Sequence, residues 1–253
     1  MRSFRSFRTF VPRPQAPRQL VCFPHAGGAA SAFRGWAELL GPSTAVVAVQ
    51  YPGRQDRFGD PPPADIAALA GQIAVEIAPL LTRPTAFFGH SMGATVAYEV
   101  ARRLQPRFPS RLARLYVSAC DAPPARRPRT TVIADEEIRA YVRSLGGSGA
   151  ALLADDELWQ LSLPALRNDF RMIETYRYRT AAPLTCPVTA IAGDADDSVS
   201  PDDVRRWQEL TIGPFEAVVQ PGGHFYFDES AEGLAALFRE DSRWSRADRI
   251  VEV

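Results

Sequence analysis

The chain has 253 residues, 46% of them hydrophobic and 23% charged, an ordinary globular composition with enough apolar mass to offset the entropy of ordering. Basic and acidic residues balance at 29 each and no lysine is present, which removes any global electrostatic case for nucleic acid or membrane binding. Cys22, Cys120 and Cys186 are odd in number, far apart and without CxxC spacing, so they read as free thiols rather than a disulfide framework.

In chain order, residues 1–18 carry Arg2, Arg5, Arg8, Arg13 and Arg18 with no apolar h-region behind them, and read as a flexible basic tail rather than a secretory signal. No apolar run approaches the roughly 20 residues of a spanning helix, so a cytoplasmic protein is expected. Residues 19–253 read as one domain. Short apolar runs at Leu20–Phe23, Ala45–Gln50, Ala86–Phe88, Leu115–Ser118, Val188–Ala192 and Ala217–Val219 predict strands buried on both faces. Helical patterns fall between them at 32–40, 64–81, 93–105, 201–210 and 231–240. In the second, Ile66, Leu69, Ile73, Ile77 and Leu80 share a face. The alternation predicts an α/β fold, a mostly parallel sheet with helices on both faces.

Residues 121–183 break that rhythm. A Pro/Arg-rich loop precedes a helix with Ile138, Tyr141, Val142 and Leu145 on one side, stopped by Gly146-Gly147. A small-residue loop and two more helical pieces follow. Pro164 lies near the start of the last, where Leu166, Phe170, Ile173 and Arg177 share a face. The stretch reads as a helical lid inserted into the sheet domain, or as a plain extra layer.

The segment Ala86-Phe87-Phe88-Gly89-His90-Ser91-Met92-Gly93-Ala94 is the most informative. A strand ends in Gly-x-Ser-x-Gly and a helix begins at once. A serine on so tight a turn has strained backbone angles, and small flanking residues let neighbouring backbone approach. Ser91 is therefore the expected nucleophile. Among three histidines, His90 should point away from the Ser91 hydroxyl and His25 lies in an early glycine loop. A serine, acid, histidine chain order requires a late histidine, and His224 is the only one. After the strand at 188–192, Asp194, Asp196 and Asp197 compete as the orienting acid. The glycine-bearing turn after Leu20–Phe23 can aim N–H groups at a developing oxyanion, which assigns the backbone N–H of Ala26 and of Met92 to the oxyanion hole. No HxH or HExxH spacing exists, so neither a metal nor a cofactor is expected.

Five motifs together resemble the stand-alone type II thioesterases of polyketide and nonribosomal peptide assembly lines. They are Phe23-Pro24-His25-Ala26-Gly27-Gly28, Tyr51-Pro52-Gly53-Arg54, Gly89-His90-Ser91-Met92-Gly93, Gly193-Asp194-Ala195-Asp196 and Gly222-Gly223-His224-Phe225. The resemblance implies an α/β-hydrolase fold with a helical lid. It also supplies the layout that selects Asp196 as the acid, leaving Asp194 to the turn backbone and Asp197 to solvent. The implied activity is hydrolysis of acyl thioesters on the phosphopantetheine arm of an acyl or peptidyl carrier protein, which clears wrong or stalled acyl groups through an acyl-serine; a monomer is expected. A general carboxylesterase or acyltransferase shares the same serine chemistry and is the alternative. Part of the set Leu152, Leu153, Leu158, Trp159, Leu161, Leu166, Phe170 and Met172 is expected to line an acyl chamber. Arg54, Arg57, Arg126, Arg127 and Arg129 are candidates for docking an acidic carrier. A histidine base fails once protonated, so hydrolysis is expected to weaken as pH drops through roughly 6–7; a rate that stays flat from about pH 5 to 8 would reject a histidine base.

Overall fold

In the computed structural model the described residues are 5–105, 112–125, 134–229 and 231–240. Seven strands, β1 (Phe7–Arg8), β2 (Arg18–Phe23), β3 (Thr44–Val49), β4 (Thr85–His90), β5 (Leu112–Ser118), β6 (Val188–Gly193) and β7 (Phe215–Gln220), form one sheet in the order β1-β3-β2-β4-β5-β6-β7. All pairs are parallel except β1 with β3. The helices are α1 (Trp36–Leu40), α2 (Ile66–Ile77), α3 (Met92–Leu104), α4 (Asp135–Leu145), α5 (Gly147–Leu153), α6 (Asp156–Glu174), α7 (Pro201–Arg205), α8 (Tyr226–Glu229) and α9 (Ala231–Glu240).

Strand alternation builds two cores. Val21, Phe23 and Phe87 pack with α2 and α3 residues such as Ile73 and Tyr98, while Leu20, Cys22 and Phe88 pack on the other face with Trp36, Phe227 and Phe238. Every residue of β2, β3, β4 and β6 is buried, as strands covered on both faces require. The three cysteines are free and buried.

The first eighteen residues do not form a free tail where they are described. Phe7 is buried and pairs with Val49, Arg5 and Arg8 bond to Asp60 and Asp56, and Arg83 donates to the Ala16 carbonyl. Two residues of antiparallel strand carry too little pattern to read from sequence. They cover the edge of β3, which would otherwise present unpaired backbone groups.

Between β5 and β6, α4, α5 and α6 bury a small core of their own around Ile138, Trp159, Leu163 and Phe170. Two details differ from the sequence reading. The small-residue loop is helix α5, and the last two helical pieces are one 19-residue helix with Pro164 inside it. An interior proline costs about 3 kcal/mol, but Trp159, Leu163, Leu166, Phe170 and Ile173 are buried along α6 on both sides of Pro164, and their burial outweighs it. Below the insertion, Glu99 of α3 accepts bonds from Arg102, Arg103 and the Tyr176 hydroxyl, tying the chain after α6 to the sheet domain.

Phe88 is fully buried, with ring centroids 5.0 Å from Trp36 and 5.6 Å from Phe238. Phe88→Ala is expected to cost about 3–5 kcal/mol. Urea unfolding should show a lowered midpoint with an unchanged slope.

Candidate active site

Ser91 caps α3 with φ 54 and ψ −122, a left-handed conformation that a non-glycine residue holds only under constraint. Its N–H donates to the Ser118 carbonyl at 2.8 Å, which pins the turn to the end of β5. The flanking glycines are steric necessities. A Cβ on Gly89 would lie 2.3 Å from the Gly93 carbonyl oxygen, and one on Gly93 would lie 2.1 Å from the Phe23 carbonyl oxygen. The start of α3 thereby sits directly against the end of β2.

Ser91 faces a cavity of about 930 Å³. Its floor is the carboxyl edge of the sheet, with His25, Ala26, Gly27, Met92 and His224. Its roof comes from the inserted helices, chiefly Ile138, Tyr141, Val142, Leu152, Leu166 and Phe170. Of the residues expected to line an acyl chamber, only Leu152, Leu166 and Phe170 do so. Leu158 and Leu161 are exposed, Leu153 and Trp159 belong to the helices' own core, and Met172 packs into the main core. The side of α4 identified from periodicity supplies the rest.

His224 follows β7 and Asp196 follows β6, on neighbouring strands. The Asp196 Oδ2 accepts from His224 Nδ1 at 2.8 Å. Its Oδ1 accepts from the Ser198 N–H at 2.9 Å and the Ser198 hydroxyl at 2.6 Å. Burial alone would raise the Asp196 carboxyl, but the His224 hydrogen bond and charge, with the two Ser198 bonds, hold it below its ordinary value. An ionised carboxylate only accepts, so the imidazole carries a proton on Nδ1, and in its neutral form the lone pair is on Nε2. That Nε2 is buried with no hydrogen-bond partner among the described residues. Ser91 and His224 share one cavity wall without being hydrogen-bonded to each other. Asp194 accepts from the Gly222 N–H at 2.8 Å, a turn contact, and Asp197 is exposed.

In the loop after β2, the Gly28 N–H donates to the His25 carbonyl and the Gly27 N–H to Asp169, at 3.0 and 2.8 Å. Among the described residues the N–H groups of Ala26 and Met92 have no acceptor and border the cavity.

Sequence reasoning missed Ser198 and Asp169. Ser198 could have been read as an acid-supporting hydroxyl two residues past Asp196. Asp169 is a carboxylate three residues after Leu166 on the apolar side of a helix, which is itself a signal. It is 1% exposed and ion-paired with Arg54, which is 7% exposed. Burial pushes the Asp169 carboxyl upward, opposed by the Arg54 charge and the Gly27 N–H. Arg54 is therefore an interior residue and no docking cation. The same holds for Arg57, buried against Asp60, Ser6 and the Gln50 carbonyl. Arg126, Arg127 and Arg129 lie outside the described residues.

A profile of the thioesterase domain matches residues 18–242. The chain belongs to the thioesterase family. The thioesterase PikA5 of Streptomyces venezuelae is 44% identical over 224 residues, covering 88% of this chain and 80% of that protein. The solved structure of BorB, a type II thioesterase from the borrelidin biosynthetic cluster, superposes with a TM-score of 0.87 at 42% identity, covering 94% of this chain and 97% of that one. RedJ, a thioesterase from the prodiginine pathway of Streptomyces coelicolor, gives 0.83 at 40% identity, covering 90% and 87%. This thioesterase thus has the α/β-hydrolase fold and is a type II enzyme of that family. No helix among its described residues is long and apolar enough to cross a membrane.

The other two histidines of the thioesterase lie at the same end of the sheet: His90 is buried, and His25 is half-buried at the cavity wall. The His90 ring centroid lies 5.0 Å from that of His224, and its Nδ1 bonds to the Ser118 hydroxyl, itself 2.7 Å from the Tyr226 hydroxyl. Burial, reinforced by the charges of His224 and Arg54, pushes His25 down to about 3; burial, with His224 and His25, pushes His90 well below 6.5. Unfolding exposes two imidazoles that bind protons near 6.5, so the unfolded state gains protons below that pH. Stability should be full above about pH 6.5 and decline as pH falls below it, with a limiting slope of about 1.4 kcal/mol per pH unit for each histidine that stays unprotonated in the fold. Urea titrations at stepped pH check this; a midpoint that does not change between about pH 6.5 and 4.5 would exclude it.

Proposed function

We propose that Ser91, His224 and Asp196 are the catalytic triad, that the Ala26 and Met92 N–H groups are the oxyanion hole, and that α4 to α6 (within 121–183) act as a lid over the acyl group. The observation that carries this reading is the His224 Nε2: buried, unpartnered, bordering the same cavity as Ser91, and backed by an ionised Asp196. Hydrogen bonds between nucleophile and base often tighten only with substrate bound. His224 takes the Ser91 proton as Oγ attacks the thioester carbonyl, and the oxyanion is met by the two N–H groups. The sulfur leaves readily, since thiols ionise at about 8.5, far below alcohols, and it takes up the proton held by His224, which restores the free base. His224 then activates water against the acyl-serine and free acid departs.

The substrate class follows from the family and from the cavity. BorB is a type II thioesterase of a biosynthetic cluster, and RedJ comes from the prodiginine pathway. By that likeness the thioesters are acyl groups on the phosphopantetheine arm of an acyl or peptidyl carrier protein, and the task is removal of aberrant or stalled groups in a polyketide or nonribosomal peptide assembly line. An apolar roof suits an acyl chain. Three buried free thiols fit work in the cytoplasm.

The test is a panel of acyl groups loaded on carrier protein, with matched oxygen esters alongside. Wild type should release acid from the thioesters faster than from the esters. Ser91→Ala or His224→Ala should lower kcat by on the order of 10⁶, and Asp196→Asn by on the order of 10⁴. Equal or better turnover of the oxygen esters would favour a general carboxylesterase.

A further inference from the structure

The loop that carries Ala26 is held at three points, and all three involve the segment Gln50 to Arg54 or its partner. The Tyr51 hydroxyl donates to the Pro24 carbonyl at 3.2 Å, and the Ala30 N–H donates to Gln50 Oε1 at 2.7 Å. The middle tether is different in kind. The Gly27 N–H donates to Asp169 Oδ2 at 2.8 Å, and Asp169 belongs to α6, part of the cavity roof. The same Oδ2 receives Arg54 Nη2, while Arg54 Nη1 donates to the Pro52 carbonyl at 2.8 Å. One turn earlier on α6, Leu166 presses on the same glycine: a Cβ on Gly27 would lie 2.4 Å from Leu166 Cδ2. Gly27 has φ +75, so the chain reverses there and its N–H orientation sets the peptide plane that follows Ala26.

We propose that Asp169, clamped by Arg54, is the positioning residue of the oxyanion hole, so that the helix roofing the acyl cavity also aims the Ala26 N–H beneath it. The inference rests on Ala26 and Met92 being the oxyanion donors. As a stabilising device a buried ion pair is weak, because an apolar pair of similar volume often does as well. As a positional device it is strong: a carboxylate oxygen fixed by a guanidinium offers one acceptor direction to one N–H. With α6 displaced, Gly27 loses both its acceptor and its packing partner, and the hole is no longer set. Acyl transfer is thereby confined to the state in which the roof is seated.

The test uses Arg54→Met/Asp169→Leu, which removes both charges together, and Asp169→Asn, which keeps an acceptor oxygen. Each is assayed on a short-chain acyl thioester of a small thiol, and against an alkyl boronic acid, whose tetrahedral serine adduct requires the hole. In the double variant kcat should fall about 10- to 100-fold, as for a catalytic group misplaced by about 1 Å. KM should stay within about twofold, and boronate inhibition should weaken by about the same factor as kcat. Asp169→Asn should fall between the double variant and wild type. A folded double variant with unchanged kcat and boronate affinity overturns the proposal, as does a loss confined to KM. Should the double variant not fold, wild-type kcat and boronate affinity in Asp169→Asn overturn it instead. Labelling of wild type by a fluorophosphonate separates the two readings. Label on Ser91 with unaffected variants defeats only the positioning role; no label on Ser91 defeats the serine mechanism beneath it.

Discussion

The N-terminus of α3 lies against the end of β2 with no room for a side chain between them. Gly93 almost touches the Phe23 carbonyl, and Gly89 almost touches the Gly93 carbonyl. That contact lets the chain turn from β4 into α3 within one residue, and Ser91 takes up the strain at φ 54. It also fixes the distance between the nucleophilic loop and the loop that begins at Pro24. A Cβ at Gly93 would push those two loops apart and move Met92 away from Ala26, and one at Gly89 would force the end of β4 away from the start of α3. The parallel sheet supplies the rest, because adjacent strands ending at one edge deliver Asp196 and His224 from neighbouring loops.

Around that contact two carboxylates are buried and paired instead of solvated. Asp196 spends its lone pairs on His224 and Ser198, and Asp169 spends its own on Gly27 and Arg54. Each carboxylate gives up water and recovers hydrogen bonds of fixed direction, so each holds its partner in one orientation. Desolvation favours the neutral forms of His25 and His90 at the same end of the sheet. They surround His224 with groups that carry no charge near neutral pH, leaving Asp196 as the carboxylate hydrogen-bonded to its imidazole.

The parallel strands were legible because burial on both faces leaves continuous apolar runs, as in Ala86–Phe88 and Val188–Ala192. Ser91 and His224 were legible because the elbow and the chain order demand particular residue types at particular places. Asp196 was not separable from Asp194 and Asp197 by residue chemistry; a family layout chose it, and the hydrogen bond to His224 lies where that layout implies. What sequence did not disclose is what depends on long-range partners. Phe7 joins the sheet only because Val49 offers an open edge. Pro164 stays inside a helix only because the face around it is buried. Arg54 looked like a surface cation until Asp169, 115 residues away along the chain, accounted for its charge. The same reasoning sent Met172 to the chamber when its helix turns it into the main core.

The inserted helices carry their own small core and leave the sheet between β5 and β6, outside the loops that hold Ser91 and His224. Architecturally the roof is a separate layer except where Met172 and Ile173 of α6 pack into the main core. Its inner surface can be rebuilt to fit a different guest without redrawing the sheet, provided the replacement brings a buried carboxylate to the place of Asp169 and an apolar side chain to that of Leu166. Grafts chosen for their lining alone would fit the guest and leave Gly27 without its anchor.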